Sequence, residues 1–157
     1  MTTTPQTLTF ISPDETADFA ARIGSSLDAG DVLLLSGAIG SGKTHFARSL
    51  IQSLMPEPED VPSPTFTLVQ TYDTPAGEIW HCDLYRLNAL EEVDELGLVD
   101  AFDTAICLVE WPEKLGALAP ATSLKLAFET DPDTEETRHV SLSWTDPKWV
   151  EKLESAG

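Results

Sequence analysis

Gly37-Ala38-Ile39-Gly40-Ser41-Gly42-Lys43-Thr44 matches G-x-x-x-x-G-K-[ST] without interruption, between the apolar run Val32-Leu33-Leu34-Leu35 and a stretch of helical periodicity. A strand that enters a glycine-rich turn and leaves as a helix converges backbone N–H groups and the positive end of a helix dipole on one point. That arrangement suits a polyphosphate. In it Lys43 reaches the β and γ phosphates as a point charge, and the Thr44 hydroxyl meets a Mg2+ ion bridging them. An ordinary glycine turn capping a helix is the bland alternative. The agreement of motif, preceding strand and following helix speaks against it.

Working outward, residues 31 to 36 read as the strand feeding the loop, and Phe46, Ala47, Leu50, Ile51 and Leu54 give the next helix one apolar face, stopped before Pro56. Upstream, Thr7 to Ile11 alternates like a short edge strand, and Ser12-Pro13-Asp14-Glu15 supplies a capping box with proline at the first helical position. Phe19, Ile23 and Leu27 then recur every four residues, which predicts a helix ended by Ala29-Gly30-Asp31.

Downstream, Pro56 to Thr65 holds four prolines, which forbid both helix interior and central strand. It reads either as a stiff surface loop or as a segment near the nucleotide that responds to the γ phosphate. Residues 66 to 72 and 79 to 87 predict two strands joined across 73 to 78, a hairpin inserted into an α/β chain. Asn88 to Glu91 caps a short helix ending at Gly97, and Leu98 to Phe102 adds a helical turn. Ala105 to Val109 is a second buried-strand run, terminated by Glu110-Trp111-Pro112. Residues 124 to 128 and 140 to 144 predict a strand pair across the acidic turn 131 to 136, and a terminal helix starts from Asp146. The pattern predicts an α/β fold, a three-layer sandwich of the P-loop NTPase type whose mixed sheet carries an inserted antiparallel hairpin.

The 157 residues predict one domain, able to bury about two-thirds of its unfolded surface without staples. With 27 Asp and Glu against 9 Lys and Arg, the chain favours cationic partner surfaces and is poorly suited to gripping a nucleic-acid backbone by itself. Any nucleic acid must then arrive on another subunit. Cys82 and Cys107 lie in apolar strand-like runs and read as small buried hydrophobes, so no disulfide framework is implied. His45, His81 and His139 with two separated cysteines give no paired zinc-ligand spacing. The N-terminus lacks a basic n-region and no segment reaches bilayer-spanning length, so the expectation is a cytoplasmic chain with no membrane association.

A phosphate loop also needs an acid at the end of a neighbouring strand to hold magnesium and orient the attacking group. Asp83, in Ile79-Trp80-His81-Cys82-Asp83, and Glu110, after the run 105 to 109, both qualify, and either could instead be a capping or solvated carboxylate. His81, Asp83 and Tyr85 share one strand face by its period of two. The reading preferred for His81 is a hydrogen-bonded buried imidazole.

Four ordered stretches carry a specific resemblance: Gly37 to Thr44; Ser63-Pro64-Thr65-Phe66-Thr67-Leu68-Val69; His81-Cys82-Asp83-Leu84-Tyr85-Arg86-Leu87; and Leu108-Val109-Glu110-Trp111-Pro112. Together, over about residues 12 to 112, they resemble the TsaE (YjeE) family, and four motifs in this order discriminate far better than the loop alone. The resemblance implies a small bacterial P-loop ATPase that works with TsaB and TsaD proteins to install threonylcarbamoyl on adenosine 37 of tRNAs, meeting the tRNA only through that complex. It implies that residues Gly37 to Thr44, Ala38, Ile39, Gly40, Ser41, Gly42 and Lys43 among them, bind ATP or ADP, and that Trp111 lies beside the nucleotide. It further implies Thr44 and Glu110 as magnesium residues, Asp83 as a Walker B-type acid, and Ser63, Pro64, Thr65, Phe66 and Thr67 as a switch-like loop. Lys43, Asp83 and Glu110 are then the catalytic set. Two positions depart from the family pattern: Ala38 stands where an acid is usual, and Ser41 where alanine is.

Charge developing on a transferring phosphoryl group calls for an arginine, and the chain has only Arg22, Arg48, Arg86 and Arg138. Partner surfaces are therefore expected to complete or gate the site. Two other functions fit the same loop: a small P-loop kinase, which needs an acceptor pocket, and a non-catalytic module whose nucleotide merely orders a docking loop.

Overall fold

The computed structural model describes residues 6 to 57, 61, 68 to 87 and 91 to 156. The proposed switch-like loop, Ser63 to Thr67, lies outside the described residues, as do Asn88 to Leu90 of the expected helix cap. In chain order the elements are β1 (Gln6–Phe10), α1 (Pro13–Gly24), β2 (Val32–Gly37), α2 (Lys43–Leu54), β3 (Val69–Thr74) and β4 (Gly77–Asp83). There follow α3 (Glu91–Leu96), α4 (Leu98–Thr104), β5 (Ile106–Glu110), a 3-10 helical stretch Pro112–Leu118, β6 (Leu124–Thr130), β7 (Arg138–Ser143) and α5 (Lys148–Ala156).

The strands form one mixed sheet in the order β1-β7-β6-β2-β5-β4-β3. β6, β2, β5 and β4 run parallel, while β1, β7 and β3 add antiparallel edges. The three-layer α/β expectation holds, and strand periodicity explains it. Leu33, Leu35, Ile106 and Leu108 point to one face, where α1, α2 and α5 pack. Val32, Leu34, Cys107 and Val109 point to the other, beneath α3 and α4. Each fully buried Leu or Ile contributes about 1.5–3 kcal/mol relative to exposure. Both cysteines are buried and free, and burial first of all raises their thiols, Cys107 to about 12. They are inert core residues.

Several boundaries differ from expectation. The helix predicted to reach Ala29 ends at Gly24, because the hydroxyls of Ser25 and Ser26 donate to the carbonyls of Arg22 and Ile23 and the Leu27 amide closes a tight turn on Gly24. Leu27 still enters the core, from that turn. The strand predicted to run to Leu87 stops at Asp83: the chain turns, with the Leu87 amide donating to Leu84 O at 3.0 Å. The hairpin turn contracts from 73–78 to Pro75 and Ala76, since the Asp73 and Thr74 positions pair with Glu78 and Gly77. The expected antiparallel hairpin is present as β3–β4, and its second strand also pairs in parallel with β5, while β6 lies directly beside β2.

The N-terminal ends of these strands are secured by charge. Asp31, just before β2, is buried, with Lys148 Nζ at 2.8 Å on Oδ1 and Lys152 Nζ at 2.8 Å on Oδ2; Lys152 also donates to Ser26 O and Asp28. Trp149 between the lysines is fully buried and its Nε1 donates to Thr122 O at 2.7 Å, so α5 is tied at three points. Burial alone would raise the Asp31 carboxyl, but the two lysine hydrogen bonds, the Asp28 amide and the Lys148 charge outweigh it and hold the carboxyl below its ordinary value. Burial likewise pulls Lys152 down, and Asp31 and Asp28 more than reverse this, so it sits above its ordinary value.

Asp31 therefore contributes stability above the unfolded carboxyl value of 3.8, lost as pH falls through its lower folded value. Lys152 contributes below 10.5, with the loss coming as pH rises through its higher folded value. Asp31→Asn is expected to cost about 2 kcal/mol near neutrality, below the ~3–5 kcal/mol of a fully buried pair because both lysines reach solvent. Calorimetry should show a Tm drop of about 4–8 °C at pH 7, which begins to shrink below pH ~4 as the unfolded chain takes up the proton and is gone once pH falls below the lower folded value. An equal drop at both pH values would contradict the ion-pair account.

Candidate functional site

β2, β5 and β4 all deliver their C-terminal ends to one edge, where α/β sheets place their sites. β2 ends at Gly37, whose φ is +139°; a Cβ there would lie 2.5 Å from the Phe128 carbonyl and 2.7 Å from Ser41 Oγ. Only glycine fits. Gly42, at φ +107°, is the N-cap of α2 and has no side chain to offer, and Lys43, Thr44 and His45 place no acid in the first turn. The first N–H groups of α2 thus carry no side-chain cap, and a helix start of this kind favours an anion by about 0.3–1 kcal/mol or more in a partly buried setting. The Ser41 hydroxyl is buried with no hydrogen-bond partner among the described residues.

Lys43 opens α2 and is itself buried. Its Nζ donates to Gly37 O and lies 3.5 Å from the centroid of the Trp111 ring. Burial lowers its pKa from the ordinary lysine value, opposed by the charges of Glu110, Glu113 and Asp83. Trp111 adopts left-handed backbone, φ 59° and ψ 52°, with its ring 4.9 Å from that of Tyr85. For a bulky residue that conformation stores strain of order 1–3 kcal/mol, a cost that clusters at functional sites.

Thr44 Oγ1 donates to Glu110 Oε1 at 2.7 Å, and His81 Nε2 donates to Glu110 Oε2, also at 2.7 Å. Glu110 and His81 are both buried, the imidazole completely, as a hydrogen-bonded core histidine should be. Asp83 faces Glu110 in the β4–β5 register and accepts from the Tyr85 amide at 3.0 Å. Both acids left open by the sequence therefore reach the site, and Glu110 is the one that touches Thr44. Tyr85, lying past the end of β4, arrives from a turn rather than along the strand face.

Lys43, Thr44, Asp83, Tyr85, Glu110 and Trp111 line a cavity of about 530 Å3 together with Ile39, Gly40, Arg86 and Arg138, while His81 lies behind Glu110 and outside its wall. The volume is that of a small-molecule site. Two of the four arginines are thus here, so the chain is less short of cations at this point than its composition implied. Arg138 was not assignable from sequence: it starts β7, and its Nη2 sits 3.5 Å from Gly40 O only because β7 pairs with β6 and β1. No local motif announces such a contact. Pro13, Thr16 and His45 on the same wall were missed for the same reason. Ala38 forms a turn of the loop, its carbonyl accepting from the Ser41 amide at 3.1 Å.

Among the described residues no helix is long and apolar enough to cross a membrane. The family described as "Threonylcarbamoyl adenosine biosynthesis protein TsaE" matches residues 10–140. The chain is 42% identical over 130 residues to the tRNA threonylcarbamoyladenosine biosynthesis protein TsaE of Rickettsia bellii, covering 83% of this chain and 90% of that one. The protein of the same name from Bacillus subtilis is 32% identical over 126 residues, covering 80% and 78%. In fold, Bacillus subtilis YdiB superposes with a TM-score of 0.79 over 99% of this chain and 95% of that one, at 24% identity. With the four sequence motifs, the loop geometry and a match across most of its length in agreement, the chain belongs to the TsaE family.

Proposed function

We propose that the chain is a magnesium-dependent ATPase that supports threonylcarbamoyladenosine formation at position 37 of tRNA by driving or resetting a TsaB–TsaD complex. The observation that carries this reading is the 2.7 Å contact between Thr44 Oγ1 and Glu110 Oε1 at the uncapped start of α2. A loop hydroxyl and a strand-end carboxylate, far apart in sequence, meet where a triphosphate and its cation require them.

The residues fit both ligands. The open helix start and the orphaned Ser41 hydroxyl suit phosphate oxygens. Thr44 and Glu110 offer hard oxygen donors, with Asp83 beside them, and such a cation commonly takes only one or two protein oxygens and completes its shell from phosphate and water. When bound, magnesium neutralises charge on the β and γ phosphates. Within this chain, Lys43 leaves Gly37 O to pair with phosphate, Trp111 covers the loop lysine and limits water access, and Arg138 stands ready at Gly40 as a second cation. Asp83 and Glu110 orient the attacking water, and the switch-like loop 63 to 67 is assigned a γ-phosphate response by family resemblance. Residues 1 to 157 act as one ATPase domain in this reading, located in the cytoplasm with the tRNA machinery. The net charge of −18 fits docking to a basic protein surface and an indirect approach to tRNA.

The test is phosphate release from ATP by the chain alone, then with TsaB and TsaD, alongside tRNA threonylcarbamoylation. Slow turnover alone, marked acceleration by the partners and modification dependent on this chain are expected. Equal rates with and without partners would reject the coupling, and transfer of phosphate to an acceptor would make the chain a kinase.

A further inference from the structure

His81 is a costly residue to place in the middle of a sheet. It is fully buried on β4, on the face that carries Ile79 and meets Leu108 and Glu110 of β5, where an aliphatic side chain would pack without polar demands. Of its two ring nitrogens, Nδ1 has no hydrogen-bond partner among the described residues. A histidine kept only to fill space gains nothing from that. Among the described residues its directional bonding runs through Nε2 to Glu110 Oε2 at 2.7 Å. A carboxylate can only accept, so the Nε2 atom carries the hydrogen.

Glu110 is in turn a buried carboxylate whose other oxygen faces Thr44. The last torsion of a glutamate is broad and soft, so a carboxylate held by one oxygen swings about that contact. Held by both, it has one plane. Imidazole and carboxylate partners behind a metal-binding side chain do this orienting in many sites.

We propose that His81 is a positioning residue for the cation site: its Nε2–H locks the Glu110 carboxylate so that Oε1 stays aimed at Thr44. The inference rests on the reading that Thr44 and Glu110 bind the magnesium of a nucleotide complex, and it assigns His81 no contact with nucleotide or ion. It separates two parts of binding. The loop amides and Lys43 hold phosphate whether or not His81 is present, whereas the gain in affinity on adding magnesium depends on it.

The experiment is titration of ADP into the full chain with and without Mg2+, for the wild type, His81→Phe, His81→Gln and the His81→Phe/Glu110→Ala pair. In His81→Phe the magnesium-induced gain in ADP affinity should fall about 10-fold, metal-free ADP affinity should stay within about twofold, and His81→Gln, which keeps an N–H near Nε2, should recover to within about threefold. In the Glu110→Ala background the His81 substitution should change nothing further. A second measurement needs no variant: in the wild-type ADP complex, the His81 Nε2–H proton resonance should move when Mg2+ is added. Full magnesium enhancement in folded His81→Phe, no recovery in His81→Gln, additive losses in the pair, or a stationary resonance would each overturn the proposal. If wild-type ADP binding itself ignores Mg2+, it is the underlying functional reading that fails, and His81 loses its assigned role with it.

Discussion

Lys43→Ala is expected to lower ATP turnover by about 10³-fold, the upper range for removing one preorganised charge-stabilising donor from a water-poor site. The lysine is buried between the Gly37 carbonyl and the Trp111 ring, so no solvent cation replaces it. The protein should nevertheless stay folded. Burial works against the charged form of Lys43, which means the fold bears a cost for holding it, and an alanine removes that cost along with the contacts. A Tm close to that of the wild type, with turnover lost, is the expected pair of readings by calorimetry and phosphate-release assay. Lys43→Arg should not rescue, because a planar fork does not fit a slot shaped for a compact ammonium. Turnover within tenfold of wild type in Lys43→Ala would show that phosphate binds elsewhere.

Glu110→Gln should cost turnover about 10²–10³-fold while leaving metal-free ADP binding nearly intact. The amide keeps the shape of the carboxylate but not its charge, and one of its two ends is now a donor facing a former donor. His81 can accommodate this by moving its hydrogen to Nδ1, which has no other partner among the described residues, and accepting at Nε2. The fold is therefore expected to tolerate the change, and removing a buried charge should leave Tm unchanged or higher. The discriminating measurement is calorimetric titration of ADP with and without Mg2+. If the variant keeps the wild-type response to magnesium, Glu110 is a structural acid and Asp83 becomes the residue to examine.

The two predictions separate functions that the loop motif joins. The proposed roles are phosphate for Lys43 and the cation for Glu110, and the two side chains come to one edge because β2 and β5 are adjacent parallel strands with Leu35 opposite Glu110. In the sheet order, β5 and β6 flank β2, although some 70 to 90 residues of sequence separate them from it.

The apolar runs at 32 to 35 and 105 to 109 were legible as buried parallel strands, because strands covered on both faces have no polar side to alternate with. The loop was legible too, since positive φ at Gly37, Gly40 and Gly42 leaves glycine as the ready choice at each. α1 was legible at its start and not at its end: its cap is local, Glu15 N donating to Ser12 Oγ while Glu15 Oε1 accepts from Ile11 N, one residue ahead of the Ser12 amide that a full capping box uses, whereas its end depends on how two serines use the last carbonyls. Leu27 kept the helical period without belonging to the helix because burial, which periodicity reports, extends past the point where hydrogen bonding stops.

What the sequence by itself determined is therefore local: the glycine-rich loop, the strand before it and the helix after it, the family motifs and the list of candidate acids. Tertiary structure alone decided that Glu110 meets Thr44 across 66 positions, that His81 braces it across 29, that Arg138 comes to rest beside Gly40, and that β6 lies next to β2. The physical reason is range. Glycine conformation, helix caps and strand periodicity act within a few residues, so they are written in neighbouring letters. A contact between strand ends depends on sheet order and register, which the packing of both faces settles together and no single stretch contains.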